Sequence, residues 1–271
     1  MHASKKGTPV VGGFAFSLGA LATAAITTDM TDPMIFLPLL SMMLFLFAGY
    51  LDDRMKRRTH NGDGFSSKAK FLLQLLCSSI VLLVAFLYGA LQTSFTIFSV
   101  KIELGPIYPF AAVLYLLYFV NAVNITDGLD GLASGASIPI LLLILFLSQR
   151  LGKNVSSAMV GALLAFLYFN RPPARYFMGD AGSHALGAYI GVSALLLKAE
   201  LVFLIASGLF LLELSSSLIQ IISIRRFGRK VFAIAPLHHA YEQKGVKEHV
   251  IVGFFIGTSW CFAAVGLLLS R

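Results

Sequence analysis

Apolar residues run along this chain in nine blocks, at roughly 10–28, 34–51, 69–91, 106–123, 132–148, 155–169, 184–198, 200–223 and 250–269. Each is near the ~20 residues that an α-helix needs to cross about 30 Å of hydrocarbon, the blocks at 155–169 and 184–198 being the shortest. The pattern predicts an all-α integral membrane protein with about nine transmembrane helices, organised as one polytopic domain over residues 1–271. The longest polar gap, roughly 224–249, is too short for a soluble domain. Partial alternation from Ser94 to Leu104 predicts a small β-hairpin.

Composition agrees. Hydrophobic residues make up 57% of the chain and charged residues 13%, against about 25% in soluble domains. Met1-His-Ala-Ser-Lys-Lys runs straight into Gly-Thr-Pro, so we expect no cleavable leader. Cys77 and Cys261 lie in apolar blocks and read as small hydrophobes rather than a disulfide or metal pair. A net charge of +8 would suit nucleic acid in a soluble protein. Here the simpler cause is the excess of Lys and Arg in cytoplasmic loops, so no nucleic-acid partner is expected. Nine spans place Lys101, Arg150, Lys153, Lys198 and Arg271 on one side and the other Lys and Arg residues on the side of Met1. That asymmetry puts the amino terminus in the cytoplasm and the carboxyl terminus outside.

The unusual polar stretches all fall on the Met1 side. They are Lys5-Lys-Gly-Thr-Pro-Val-Val-Gly-Gly13, Gly49-Tyr-Leu-Asp-Asp53, Asn121-Ala-Val-Asn-Ile-Thr-Asp-Gly-Leu-Asp-Gly-Leu-Ala133, the Asn170–Ser183 loop and Pro236-Leu-His-His-Ala-Tyr-Glu242. Asp127 and Asp130 are three apart and share a face if helical, an arrangement that is costly without a cation or polar ligand between them. The simpler alternative is that Asp and Gly only cap and break a helix there. Asp52 and Asp53 sit at a bilayer boundary, where acids are expensive and usually functional. Asp180 lies in Met-Gly-Asp-Ala-Gly-Ser, where small residues clear space around one carboxylate. Open oxygen donors suit Mg²⁺ better than zinc. His238 and His239 are either a solvated pair or groups that contact phosphate and place substrate. Lys5, Lys6, Lys56 and Lys68 are candidates to neutralise phosphates. One shared cytoplasmic cleft lined this way suits phosphoryl transfer, with one substrate arriving from water and the other from lipid.

These five ordered motifs, spread from residue 5 to residue 245, resemble those of the polyprenyl-phosphate N-acetylhexosamine-1-phosphate transferase superfamily. Within it, the TDGLDG and PLHH forms most resemble the phospho-N-acetylmuramoyl-pentapeptide transferase family. The resemblance implies transfer of phospho-MurNAc-pentapeptide from UDP to undecaprenyl phosphate in the bacterial plasma membrane, giving lipid I and UMP. It implies Mg²⁺ on Asp180, with Asp52 as the base acting on the lipid phosphate and Asp53 beside it. Asn124, Asp127, Lys56, Lys68 and His239 would line the cleft. Lys5, Gly128, Leu129, Asp130, Asn170 and Phe177 would hold the uridine diphosphate, Phe177 by stacking on the base, with His238 among the substrate-placing groups. A homodimer is an expected assembly.

Three departures from the pattern stand out. The family's first helix has no counterpart ahead of the KKGTP stretch, Ala240 stands where a third histidine is usual, and Val10 replaces a common threonine. Three other readings follow: a related transferase for UDP-GlcNAc, a membrane transporter, and an inactive paralogue. Glu213, an acid inside an apolar block, is the best support for the transporter.

Overall fold

A computed structural model describes residues 7–59, 63–97, 100–148 and 153–270. The helices are α1 (Gly12–Thr27), α2 (Pro33–Arg58), α3 (Ser67–Leu87), α4 (Tyr108–Thr126), α5 (Leu132–Leu147), α6 (Lys153–Asn170), α7 (Gly179–Leu196), α8 (Glu200–Ala206), α9 (Gly208–Phe227), α10 (Leu237–Gln243) and α11 (Glu248–Leu269). Every apolar block lies on a helix. Helices α2, α3, α4, α9 and α11 are long and apolar enough to cross a membrane, while α1 and α5 are shorter apolar helices. The chain is an all-α membrane protein. The expected span at 200–223 is instead two helices, broken at Ser207. There the ring of Phe262 packs so close to Gly208 that a Cβ would sit 2.4 Å from it.

Local sequence sets the helix ends. The Asp32 carboxylate accepts from Met34 N at 2.9 Å, with Pro33 opening α2. Lys56, Arg57 and Arg58 occupy the last turn of α2, where cations complement the helix dipole. The Ser66 hydroxyl caps α3 through Ala69 N at 3.3 Å. Gly228, at φ 63°, ends α9 in the left-handed region.

The centre of the bundle is α7. All its residues from Ala181 to Leu196 are buried, and it packs against α1, α2 and α4. Lipid tails are as apolar as leucine, so close backbone approach rather than water release holds such helices together. Small residues permit that approach. A Cβ on Gly187 would lie 2.6 Å from Phe119 O and 2.7 Å from Val120 Cα. Gly49 of α2 meets the Asp180 carbonyl as closely, and Gly13 of α1 meets Gly182.

The expected hairpin is present as β1 (Ser94–Ile97) antiparallel to β2 (Val100–Glu103), with Ser94 opposite Glu103. It is tied to the carboxyl-terminal end of α7. Lys198 Nζ donates to Gln92 O at 2.7 Å, Ser94 O at 3.0 Å and the Tyr108 hydroxyl at 2.8 Å. The Tyr108 hydroxyl in turn donates to buried Glu200 at 2.7 Å. The hairpin and the motifs thus occupy opposite ends of α7.

Gly187→Ala should lower the unfolding temperature in detergent, at a cost of about 1–3 kcal/mol for overpacking against backbone. Gly161→Ala is the control, because a Cβ there meets nothing within 4 Å. Equal midpoints for the two variants would contradict this account of α7.

Candidate active site

Four helix ends converge at the motif end: the last turns of α2 and α4 and the first turns of α3 and α7. Two lysines bridge two carboxylates there. Lys56 Nζ lies 3.1 Å from Asp52 Oδ2 and 2.9 Å from Asp180 Oδ2. Lys70 Nζ lies 3.0 Å and 2.6 Å from the same two oxygens. The other oxygen of Asp52 accepts from Phe65 N at 2.6 Å, and a Cβ on neighbouring Gly64 would sit 2.5 Å from it. The other oxygen of Asp180 accepts from Asn124 Nδ2 at 3.1 Å, and that amide also donates to Ser183 Oγ at 2.9 Å.

Asp53 does a different job from its neighbour. Its two oxygens accept from Asp180 N at 3.2 Å and Ala181 N at 3.0 Å. It caps the amino terminus of α7 from another helix, where the dipole favours a negative charge. The cap sets the position of Asp180.

Asp127 closes α4 and faces the same cluster. Burial pushes its carboxyl well above the usual carboxylate range, with Asp180, Asp53 and Asp130 adding repulsion in that order. The residue as a whole keeps some exposed surface, so it is the carboxyl group rather than the whole residue that is enclosed. Asp130 is turned away into the protein. Its Oδ2 accepts from Ala174 N at 2.9 Å, and its amide donates to Glu248 Oε1 at 2.8 Å. Leu129 is buried beside it.

Both ends of the Asn170 amide are engaged within the protein. Its oxygen accepts from Gly131 N at 3.1 Å and Ser134 Oγ at 2.8 Å, and its nitrogen donates to Tyr176 O at 2.9 Å. It ties the 127–131 turn to the loop that carries Phe177. That loop pairs with the amino-terminal segment, through Phe177 N to Pro9 O and Gly12 N to Phe177 O, both at 3.0 Å. Phe177 itself is half-buried. Lys5 lies outside the described residues.

The histidines divide. His238 is fully buried, and its ring packs on Gly128, where a Cβ would lie 2.2 Å from Nε2. His239 is partly exposed, with Nδ1 2.9 Å from Glu242 Oε2 one turn on. Its ring centroid is 4.3 Å from that of His238. Of the two, His239 is the one that reaches the surface.

Of the lysines expected at the cleft, Lys68 is exposed on the first turn of α3 and joins no ion pair among the described residues. Lys70, two residues on, is the one that joins the cluster. Two residues along a helix turn the side chain roughly 200°, so only one of the pair can face Asp52 and Asp180.

Sequence reading also missed a second polar layer one turn deeper. Gln74 and Asn121 exchange amide contacts at 2.8 and 3.4 Å, and Gln74 Nε2 lies 3.3 Å from His184 Nε2. The signal was present as polar pairs at helical spacing: Lys70 with Gln74, Asn121 with Asn124, and Asp180 with His184.

Comparison with known proteins places these features in context. The family model for glycosyl transferase family 4 matches residues 35–198. The phospho-N-acetylmuramoyl-pentapeptide-transferase of Clostridium perfringens strain SM101 is 36% identical, over 98% of this chain and 84% of its own length. The protein of the same name from Desulforamulus reducens is 37% identical, over 98% and 83%. That from Chlamydia caviae is 37% identical, over 96% and 80%.

Two stability measurements test the site's electrostatics. Asp53→Ala should cost about 1–2 kcal/mol through loss of the α7 cap, and Asp53→Asn should recover part of it because one acceptor remains. Asp127 works in the opposite sense. Because the fold raises its pKa, its contribution is full below the ordinary carboxylate pKa of about 4 and is lost as pH rises through the higher folded value. Asp127→Asn, neutral throughout, should therefore unfold at a higher temperature than wild type at neutral pH, with the gap closing towards pH 4. A wild type as stable as the variant at neutral pH would refute the crowding.

Proposed function

Because the chain belongs to glycosyl transferase family 4, we propose that it transfers phospho-N-acetylmuramoyl-pentapeptide from UDP to undecaprenyl phosphate, giving lipid I and releasing UMP. The observation that carries the reading is the cluster of Asp52, Asp180, Lys56 and Lys70 beside Asn124. Phosphoryl transfer needs little covalent help from the protein. It needs positioning and neutralisation of charge spread over phosphate oxygens. Two ammonium groups held between two carboxylates meet that need, since they can turn from the carboxylates to an arriving diphosphate without leaving the site.

In this reading an oxygen of the lipid phosphate attacks the sugar-bearing phosphorus, and the bond to UMP breaks. Asp52 takes the proton from the lipid phosphate, its geometry set by Phe65 N and its charge held by both lysines. Asn124 and Asp127 line the reacting end, and His239 borders it. Phe177 and Asp130 belong to the uridine side, with Asn170 fastening the turn and loop that carry them.

Among the described residues no group of three or more His, Cys, Asp or Glu is arranged to hold a metal ion. The donor chemistry nevertheless fits Mg²⁺. Asp180 and Asp52 turn one oxygen each towards a shared cation position that the two lysines fill, and both offer only hard oxygen donors. We assign Mg²⁺ to Asp180; when bound, it would neutralise the diphosphate of the sugar donor.

The asymmetry of Lys and Arg supports a cytoplasmic motif end in the bacterial plasma membrane, with the amino terminus inside and the carboxyl terminus outside. A reporter fused after the last helix should be active only outside. A homodimer belongs to the same proposal, and the mass of the detergent-solubilised particle tests it.

The deciding assay offers UDP-MurNAc-pentapeptide and UDP-GlcNAc in parallel to purified protein with undecaprenyl phosphate and Mg²⁺. UMP should appear with the first donor. UMP from the second alone would move the chain to a sister transferase, and Ala240 in the histidine motif makes that arm informative. Lys70→Ala should lower turnover by about 100-fold or more, as loss of a charge-stabilising donor does. Lys68→Ala should leave turnover within about threefold of wild type. The reverse ranking would overturn the lysine assignment.

A further inference from the structure

Glu213 and His238 are both 0% exposed. One lies inside apolar α9 and the other on α10, 25 residues on, with Glu213 Oε2 3.0 Å from His238 Nδ1. Among the described residues, neither Glu213 Oε1 nor His238 Nε2 has a hydrogen-bond partner. An acid so placed is costly unless paired. The imidazole is its pair. A carboxylate offers only acceptors, so with a neutral imidazole the shared proton belongs to Nδ1 and Nε2 is left bare.

The bare nitrogen has a defined neighbour. It packs on the backbone of Gly128, where a Cβ would be only 2.2 Å away. Gly128 follows Asp127, the crowded acid of the site. His239 shows the contrast. It takes its carboxylate from its own helix and stays partly open, whereas His238 is held by a distant helix and closed over.

We propose that Glu213 is a positioning residue of the active site: through Nδ1 of His238 it fixes the imidazole with a bare Nε2 seated against the Asp127–Gly128 turn. Glu213 touches no substrate. It sets which nitrogen of His238 carries the proton and where the ring sits, as carboxylates behind functional histidines do elsewhere. Reversal of the tautomer would drive an N–H into the Gly128 backbone and displace the turn that carries Asp127. The activity arm of the test rests on the transferase reading; the tautomer arm does not.

The test compares wild type, Glu213→Gln and Glu213→Asp, purified in detergent with ¹⁵N-labelled histidine. The His238 signal is identified by its loss in His238→Gln. Wild type should show His238 protonated on Nδ1 with Nε2 bare. In Glu213→Gln, whose amide can donate to Nδ1, the population should shift to the Nε2–H form. For UMP release, kcat should fall about 10–100-fold in Glu213→Gln, with KM for the sugar nucleotide moving less than about threefold. Glu213→Asp, which keeps the carboxylate, should restore the larger part of kcat and the wild-type tautomer. An Nε2–H tautomer in wild type, an unchanged tautomer in Glu213→Gln, or wild-type kcat in that variant would each overturn the proposal. A wild type that releases no UMP from either donor would count against the transferase reading, and the nitrogen signals would still decide the role of Glu213.

Discussion

Repulsion among carboxylates is the constraint on which the rest of this structure depends. Asp52, Asp53, Asp127 and Asp180 meet at one end of a bundle whose surroundings are mostly apolar, where like charges interact far more strongly than in water. Each acid is accommodated differently. Asp52 and Asp180 share Lys56 and Lys70. Asp53 is absorbed by the amides that open α7. Asp127 keeps a partly open position, and burial and its neighbours drive it towards the neutral form. The solution requires α2, α3, α4 and α7 to end together, so the charge problem and the topology are one problem.

Packing supplies the accuracy that this arrangement demands. Hydrogen bonds near 3 Å between side chains of different helices tolerate little drift, and buried α7 is what limits it. The glycines of the sequence motifs serve that end. Gly13 and Gly49 belong to two of the polar motifs that mark the working end. In the fold they are places where α1 and α2 approach the first turn of α7, next to Asp180. The glycine motifs therefore act on the chemistry through helix contact, one step removed from substrate. Gly64 and Gly179 instead lie directly against carboxylates, leaving room for Asp52 and Asp53.

Much of this was legible in the chain because hydropathy reports helices and unusual polar residues report the working end. The nine apolar blocks mark where helices lie, and the hairpin at Ser94–Glu103 shows its alternation. The choice between Lys68 and Lys70 was not legible, because both lie on the first turn of α3 and only the rotation of that helix separates them. The break at Ser207 was hidden for a similar reason. Hydropathy is continuous across it, and the ring that packs against it comes from α11, far away in sequence. For Asn170 the fold adds what sequence could not show: its amide joins two segments of the site through partners 6, 36 and 39 residues away.

A buried acid in an apolar helix invites a second interpretation, that of an ion path. Paths of that kind gather their polar groups near the middle of the membrane, at helices that break there. The polar groups here are divided instead between the ends of α7: the carboxylate and lysine cluster at one, and Lys198, Tyr108 and Glu200 at the other. Glu213 belongs to the first group, because its partner His238 packs on the turn that carries Asp127. Its burial then has a cause that transport does not need. A solvated carboxylate would pair with water and let the imidazole turn; a buried one leaves the histidine a single favourable orientation. The same low dielectric that makes the acid expensive makes the orientation firm.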